Sequence, residues 1–166
     1  MKRRVFGLGM LAAMAVSGCA TKFRSYRGPA VTSIVVNKSA NSMYLLHGTE
    51  VLKAYAVDLG FAPKGPKQFE GDGKTPEGTY YIDRRNPNSA FHLSLGISYP
   101  NAQDRAFAQS QGKRPGGDIF IHGQPNTNKK LSKKENWTAG CIAVKDREIE
   151  EIYAMVREGT IITIRA

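Results

Sequence analysis

The residue in this chain best suited to covalent chemistry is Cys141, in the stretch Trp137-Thr138-Ala139-Gly140-Cys141-Ile142. Thiolate is the attacking form of cysteine, so a nucleophilic role needs a base within hydrogen-bond reach. Gly140 before it lets a substrate approach the backbone closely and frees neighbouring N–H groups to act as an oxyanion hole. The chain has three histidines. His47 falls in a turn, and His92 falls in an alternating apolar run that reads as strand. His122 ends the apolar run Asp118-Ile119-Phe120-Ile121-His122 and precedes Gly123. A histidine at a strand end before a glycine is presented at a rim, which makes His122 the preferred base. Composition alone does not separate this pair from an inert buried thiol and an accommodated histidine. Two cysteines are too few for a Cys-rich zinc site. Neither metal nor organic cofactor is expected.

The elements that must position these residues are mostly strands. Ile34-Val35-Val36, Met43-Tyr44-Leu45-Leu46 and residues 51–57 read as a meander, with turns at 37–41 and 47–50. Further strands are expected at 79–82, 91–95, 118–122, 142–144 and 161–164. Residues 101–111 and 146–157 read as helices. The second has Asp146 as expected N-cap and acids in its first turns. Its apolar face is Ile149, Ile152, Tyr153 and Val156, and Gly159 is its stop. The fold class is mostly β with small α insertions. Alternation alone does not separate a sandwich from a barrel.

The chain has 166 residues, a length that suits one domain. With 41% hydrophobic and 23% charged residues it is neither fibrous nor disordered. Its N-terminus reads as an address. Met1-Lys2-Arg3-Arg4 is cationic, residues 5–16 are apolar but too short to span a bilayer, and Val16-Ser17-Gly18-Cys19 resembles a bacterial lipobox. Residues 1–18 are expected to be a lipoprotein signal peptide. Cys19 is then the lipidated N-terminus, 19–30 a tether, and 31–165 the catalytic domain. The net charge of +10 suits nucleic acid, an anionic membrane surface or an acidic cell-wall glycopeptide. No nucleic-acid partner is expected, since no RNP, zinc-finger or helix-turn-helix pattern is present.

The segments Ile119-Phe120-Ile121-His122-Gly123 and Thr138-Ala139-Gly140-Cys141-Ile142, with their separation, resemble the L,D-transpeptidase (YkuD-domain) family. The turn-rich segment 71–80 agrees. Ile97-Ser98-Tyr99-Pro100-Asn101 and Gly116-Gly117-Asp118 look like the family's YafK-like branch. Two positions depart from the pattern: Ala139 stands where many members have a second histidine, and Ala143 where many have an arginine that recognises substrate carboxylate.

The resemblance implies a YkuD-like β-sandwich or barrel and a peptidoglycan L,D-transpeptidase working through a Cys141 thioester. His122 would be the base, oriented by the Gly123 carbonyl, and N–H groups around Gly140 and Cys141 would form the oxyanion hole. The substrates implied are peptidoglycan stem peptides, with release of D-Ala and transfer to an amine, including an amine of a lipoprotein acceptor. Water as acceptor would make the protein an amidase or endopeptidase, with an attached lipoprotein as substrate. A third reading is a non-catalytic wall-binding lipoprotein. Thr138, Tyr99, Asn101 and His92 are expected to line the cleft, with residues 126–136 as a lid carrying Lys129, Lys130, Lys133 and Lys134. Trp137 is expected to pack beneath that loop. Ala20 after Cys19 points to the outer membrane, facing the periplasm.

Overall fold

Alternating burial runs through the first strands of the computed structural model, which describes residues 21–166. The expected signal peptide (1–18) and expected lipidation site Cys19 lie outside the described residues. In β1 (Ser33–Asn37) Ile34 and Val36 face inward, and in β2 (Ser42–His47) Met43 and Leu45 do the same. The remaining strands are β3 (Glu50–Ala56), β4 (Gly78–Asn86), β5 (Ser94–Ile97), β6 (Phe120–His122), β7 (Ile142–Ala143) and β8 (Ile161–Arg165). Two helices, α1 (Ala102–Ser110) and α2 (Asp146–Met155), sit in the connections.

All eight strands form one sheet in the order β3-β2-β1-β8-β4-β5-β6-β7. Its pairs are antiparallel except β1 with β8 and β6 with β7. The sheet curls far enough for the chain leaving β3 to reach β7. Asp58 N donates to Ala143 O at 2.9 Å and Ala143 N to Asp58 O at 2.8 Å, so the chain after β3 covers the β7 edge. The alternatives of sandwich and barrel therefore resolve to a single curled sheet, a half-barrel. Ile82, Leu95, Ile121, Ile142 and Ile162 share one buried core with Ile149 and Ile152 of α2. Burying each such side chain is worth about 1.5–3 kcal/mol.

Two local expectations are corrected, and a third segment is described in part. The helix α2 is capped by Lys145, not Asp146: Glu148 Oε2 accepts from Lys145 N at 2.8 Å. Asp146 Oδ1 instead accepts from Gln124 N at 2.8 Å, which pins the helix start to the chain just after β6. The strand expected at 91–95 begins only at Ser94. His92 turns the chain with φ 68°, and its N–H donates to Asn126 Oδ1 at 3.0 Å. The expected tether is docked over its described part. Lys22 Nζ donates to the carbonyls of Pro87 (2.5 Å) and His92 (3.1 Å), and Arg24 pairs with Glu150 at 2.8 Å.

Candidate active site

Register places the chemistry on one face of the sheet. Ser94 pairs with His122 and Gly96 with Phe120 across β5 and β6, while His122 pairs with Ala143 across β6 and β7. Side chains two apart along a strand share a face. His122, Phe120, Ala143 and the adjoining Cys141 therefore look the same way. The cleft on that face has a volume of about 270 Å³ and contains both His122 and Cys141, with Phe91, Phe120, Asp118 and Ser94 among its walls. A roomier hollow of about 400 Å³ around Lys38, Lys64 and Glu77 holds neither residue of the pair.

His122 is buried, with 3% exposure. Its Nδ1 lies 2.7 Å from the Gly123 carbonyl, which can only accept, so Nδ1 carries the proton and Nε2 is the basic nitrogen. The ring is walled by Phe91 at 4.4 Å and by Trp137 at 5.7 Å, centroid to centroid. Gly123 N donates to Phe91 O at 3.0 Å. A Cβ at Gly123 would lie 2.7 Å from Asp146 Oδ1 and 2.9 Å from Ile149 Cγ2. Only glycine lets α2 approach the end of β6 this closely.

Cys141 follows a tight turn. Thr138 Oγ1 donates to Cys141 O at 2.7 Å and accepts from Gly140 N at 3.1 Å. Gly140 has φ 136°, and a Cβ there would lie 2.6 Å from Lys74 O. The segment 71–80 explains that proximity. The Asp72 carboxylate gathers Gln68 N, Phe69 N, Lys74 N and Lys67 Nζ within 2.7–3.1 Å, and so presses the Lys74 carbonyl against Gly140. The Gly140 N–H is committed to Thr138, which removes it from the expected oxyanion donors. The Cys141 thiol lies 3.5 Å from Asp118 O.

Electrostatics favour a neutral pair at rest. Burial pushes His122 below its ordinary value of 6.5, against the opposing pull of its bond to Gly123. Burial likewise pushes the Cys141 thiol above 9.0. A thiol that shares a cleft with a neutral imidazole whose basic nitrogen is unprotonated can pass it a proton as attack begins, without a standing charge at rest.

The expected site residues divide. Cys141 and His122 line the cleft, Gly123 and Gly140 adjoin them in the chain, and Thr138 is buried and holds the turn. The other three serve structure. Tyr99 is 5% exposed, stacks edge-on with Tyr80 at 5.9 Å and donates to Pro115 O at 2.9 Å. Asn101 caps α1, accepting from Gln103 N (2.8 Å) and Asp104 N (3.0 Å). His92 turns its ring to Glu150, with Nε2 at 2.9 Å from the carboxylate. The loop 126–136 is clamped at its far end by Asn136, whose Oδ1 accepts from Asn41 Nδ2 at 2.7 Å and Leu59 N at 2.8 Å. Trp137 lies against the Phe91 and His122 rings, and between it and the loop is a hollow of about 480 Å³. The reading of sequence missed Phe91, Phe120 and Asp118 as walls. Asp118, in a non-glycine left-handed conformation (φ 54°), stands in the Gly116-Gly117-Asp118 segment that carries the resemblance, but nothing in that segment points to a wall of the cleft.

Comparison with known proteins agrees with this geometry. The family model for the L,D-transpeptidase catalytic domain, YkuD, matches residues 32–164. The chain is 29% identical over 132 residues to the Escherichia coli (strain K12) protein named "Putative L,D-transpeptidase YafK", covering 77% of this chain and 47% of that protein. It is 26% identical to the helical cell shape determining protein Pgp2 from Campylobacter jejuni, with TM-score 0.62, over 84% of this chain and 49% of the other. The L,D-transpeptidase from Mycobacterium smegmatis shares the fold at TM-score 0.54 and 16% identity, over 82% of this chain and 59% of that one. The chain spans about half the length of the curated relatives it matches.

Proposed function

Given that the chain belongs to the L,D-transpeptidase catalytic-domain (YkuD) family, we propose that it is a cysteine acyltransferase acting on peptidoglycan stem peptides. The observation that carries this reading is the fixed tautomer of His122, whose Nε2 is left basic in the cleft that also contains Cys141.

In this mechanism Nε2 of His122 takes the Cys141 proton as sulfur attacks the carbonyl of the third stem residue. The oxyanion is held at the turn by the Cys141 N–H, because the Gly140 N–H is engaged. Removing one such donor costs about 3 kcal/mol in comparable sites. The imidazolium protonates the leaving D-Ala amine, and a thioester remains. An incoming amine then loses a proton to Nε2, attacks the thioester and regenerates the thiol. A diamino-acid amine gives a crosslink, an amine of a lipoprotein gives protein attachment, and water gives hydrolysis.

The experiment is product analysis on tetrapeptide muropeptides with and without an added amine acceptor. Transfer products that need both Cys141 and His122 support the reading. Tripeptide alone in the presence of amine makes the protein a hydrolase. No product and no peptide binding overturns it.

We further propose attachment through Cys19 and an outer-membrane, periplasm-facing location, on the strength of Val16-Ser17-Gly18-Cys19 and Ala20. Globomycin treatment or Cys19→Ser should shift gel mobility and membrane fraction. Unchanged processing in both contradicts lipid attachment.

A further inference from the structure

A second cross-strand row runs beside the one that holds His122. Arg84 on β4 pairs with Gly96 on β5, and Gly96 pairs with Phe120 on β6. Ile121 pairs with Ile142, so Phe120 stands level with Cys141 one residue back along the parallel β6–β7 pair. Arg84, Gly96, Phe120 and Cys141 thus follow one another across the sheet on the cleft face, at strand spacings of about 4.8 Å.

The glycine in this row clears a path. A Cβ at Gly96 would lie 2.4 Å from Arg84 Cγ and 2.9 Å from Arg84 Nε. Any other residue there would displace the arginine. With glycine, Arg84 lies flat over β5 and its guanidinium carbon reaches 4.7 Å from the centre of the Phe120 ring. Phe120 is a wall of the cleft.

The guanidinium is only lightly held. Its partners are Asp118, at 3.0 Å, and Asp83, at 3.9 Å, with the Arg84 side chain 47% exposed and those of Asp118 and Asp83 89% and 36% exposed. An ion pair so open to water contributes little net stability. A cation stacked on an aromatic face keeps its in-plane N–H groups free for a planar carboxylate. The cation whose charge acts on the Cys141 thiol is Lys67, which is 4% exposed at its side chain and spent on Asp72 at 2.9 Å and Phe69 O at 3.0 Å. Ala143, on the same face beside His122, offers no charge.

We propose that Arg84 is the carboxylate-recognition residue of this cleft, binding a carboxylate of the donor peptide next to the scissile amide in exchange for Asp118. This inference rests on the stem-peptide reading above. Two carboxylates of a stem tetrapeptide fit the chemistry, the terminal one and the one on the diamino-acid side chain, and amidating each in turn tells them apart.

The test is calorimetric binding of stem tetrapeptides to Cys141→Ala protein, which binds without turnover, in the free-acid form and with each carboxylate amidated. Arg84→Ala is expected to weaken the free acid about tenfold to a hundredfold, as for the loss of a charge-assisted hydrogen bond, and to leave one of the amidated forms unchanged. Arg84→Lys should recover part of the loss. Asp118→Asn, which removes the competing carboxylate, should tighten the free acid several-fold. Equal weakening of free-acid and amidated peptides by Arg84→Ala would mean that Arg84 merely staples Asp118, and overturns the proposal while stem-peptide binding stands. If the protein with Arg84 intact binds no stem peptide, the functional reading itself falls and takes this one with it.

Discussion

Phe91 lies 4.4 Å from the imidazole of His122, centroid to centroid, with its ring tilted by 33°. Its carbonyl receives the N–H of Gly123, whose own carbonyl fixes the His122 tautomer. One residue therefore both walls the base and anchors the peptide unit that orients it. Phe91→Ala keeps the backbone bond and removes the wall. It should cost about 1–3 kcal/mol of stability and lower kcat/KM at least tenfold, with Phe91→Leu between the two. Thermal unfolding and donor turnover measure both, and unchanged turnover in Phe91→Ala contradicts the role.

The neutral pair has a pH signature. Burial depresses His122 below 6.5, so the acid limb of the rate profile should lie below 6.5. The linked stability term has the same sign. Between the folded pKa and 6.5 the unfolded chain binds more protons, so this stability is present above 6.5 and lost as pH falls through the folded value. The raised Cys141 thiol acts oppositely: its contribution is present below 9.0 and lost as pH rises toward the folded value. His122→Gln should remove the acid-side term from stability measured against pH. An acid limb above 6.5 would contradict the buried, neutral base.

The turn before Cys141 depends on two residues for different reasons. Thr138→Ala removes both hydroxyl bonds and should cost about 1–3 kcal/mol, with Thr138→Ser retaining most of the stability. Gly140→Ala forces a side chain into a conformation with φ 136° and against Lys74 O, at a strain of roughly 1–3 kcal/mol before any clash. Both should reduce thioester formation more than general folding. Urea unfolding beside single-turnover acylation separates the two effects, and a fully active Gly140→Ala would refute the packing account.

Docking of the N-terminal segment reaches the same wall. Arg24 and His92 both bond Glu150, and Lys22 holds the His92 carbonyl next to Phe91. Burial raises the Glu150 carboxyl, but these partners outweigh it and hold the group below 4.5. Arg24→Ala breaks an exposed pair and should cost at most about 1 kcal/mol. Glu150→Gln also frees His92 and should slow turnover several-fold. Hydrogen exchange at residues 91–93 checks this, with faster exchange expected in Glu150→Gln and equal exchange contradicting the coupling.

Much of this was legible from residue patterns because local rules sufficed. Ile34, Val36, Met43 and Leu45 alternate, the Ile149 and Ile152 stripe is helical, and His122-Gly123 and Gly140-Cys141 carry their own chemistry. Most of the failures are long-range. Phe91 and His92 read as strand by alternation, yet the loop at Asn126 and the N-terminal Lys22 bend the chain there. Asp146 has the chemistry of an N-cap but is drawn to Gln124 N by the close approach that Gly123 permits. Tyr99 and Asn101 belong to a segment that carries the family resemblance, yet Asn101 caps α1 and Tyr99 bonds the Pro115 carbonyl. The row from Arg84 to Cys141 exists only once register is known.

The central claim is that Cys141 is the nucleophile and His122 its base. Intact mass after mixing with a stem tetrapeptide tests it most directly. The account predicts an adduct equal to the peptide less its terminal D-Ala, mapped to Cys141, absent in Cys141→Ala and formed at least a hundredfold more slowly in His122→Gln. Turnover by Cys141→Ala, or an adduct mapped to another residue, would contradict it.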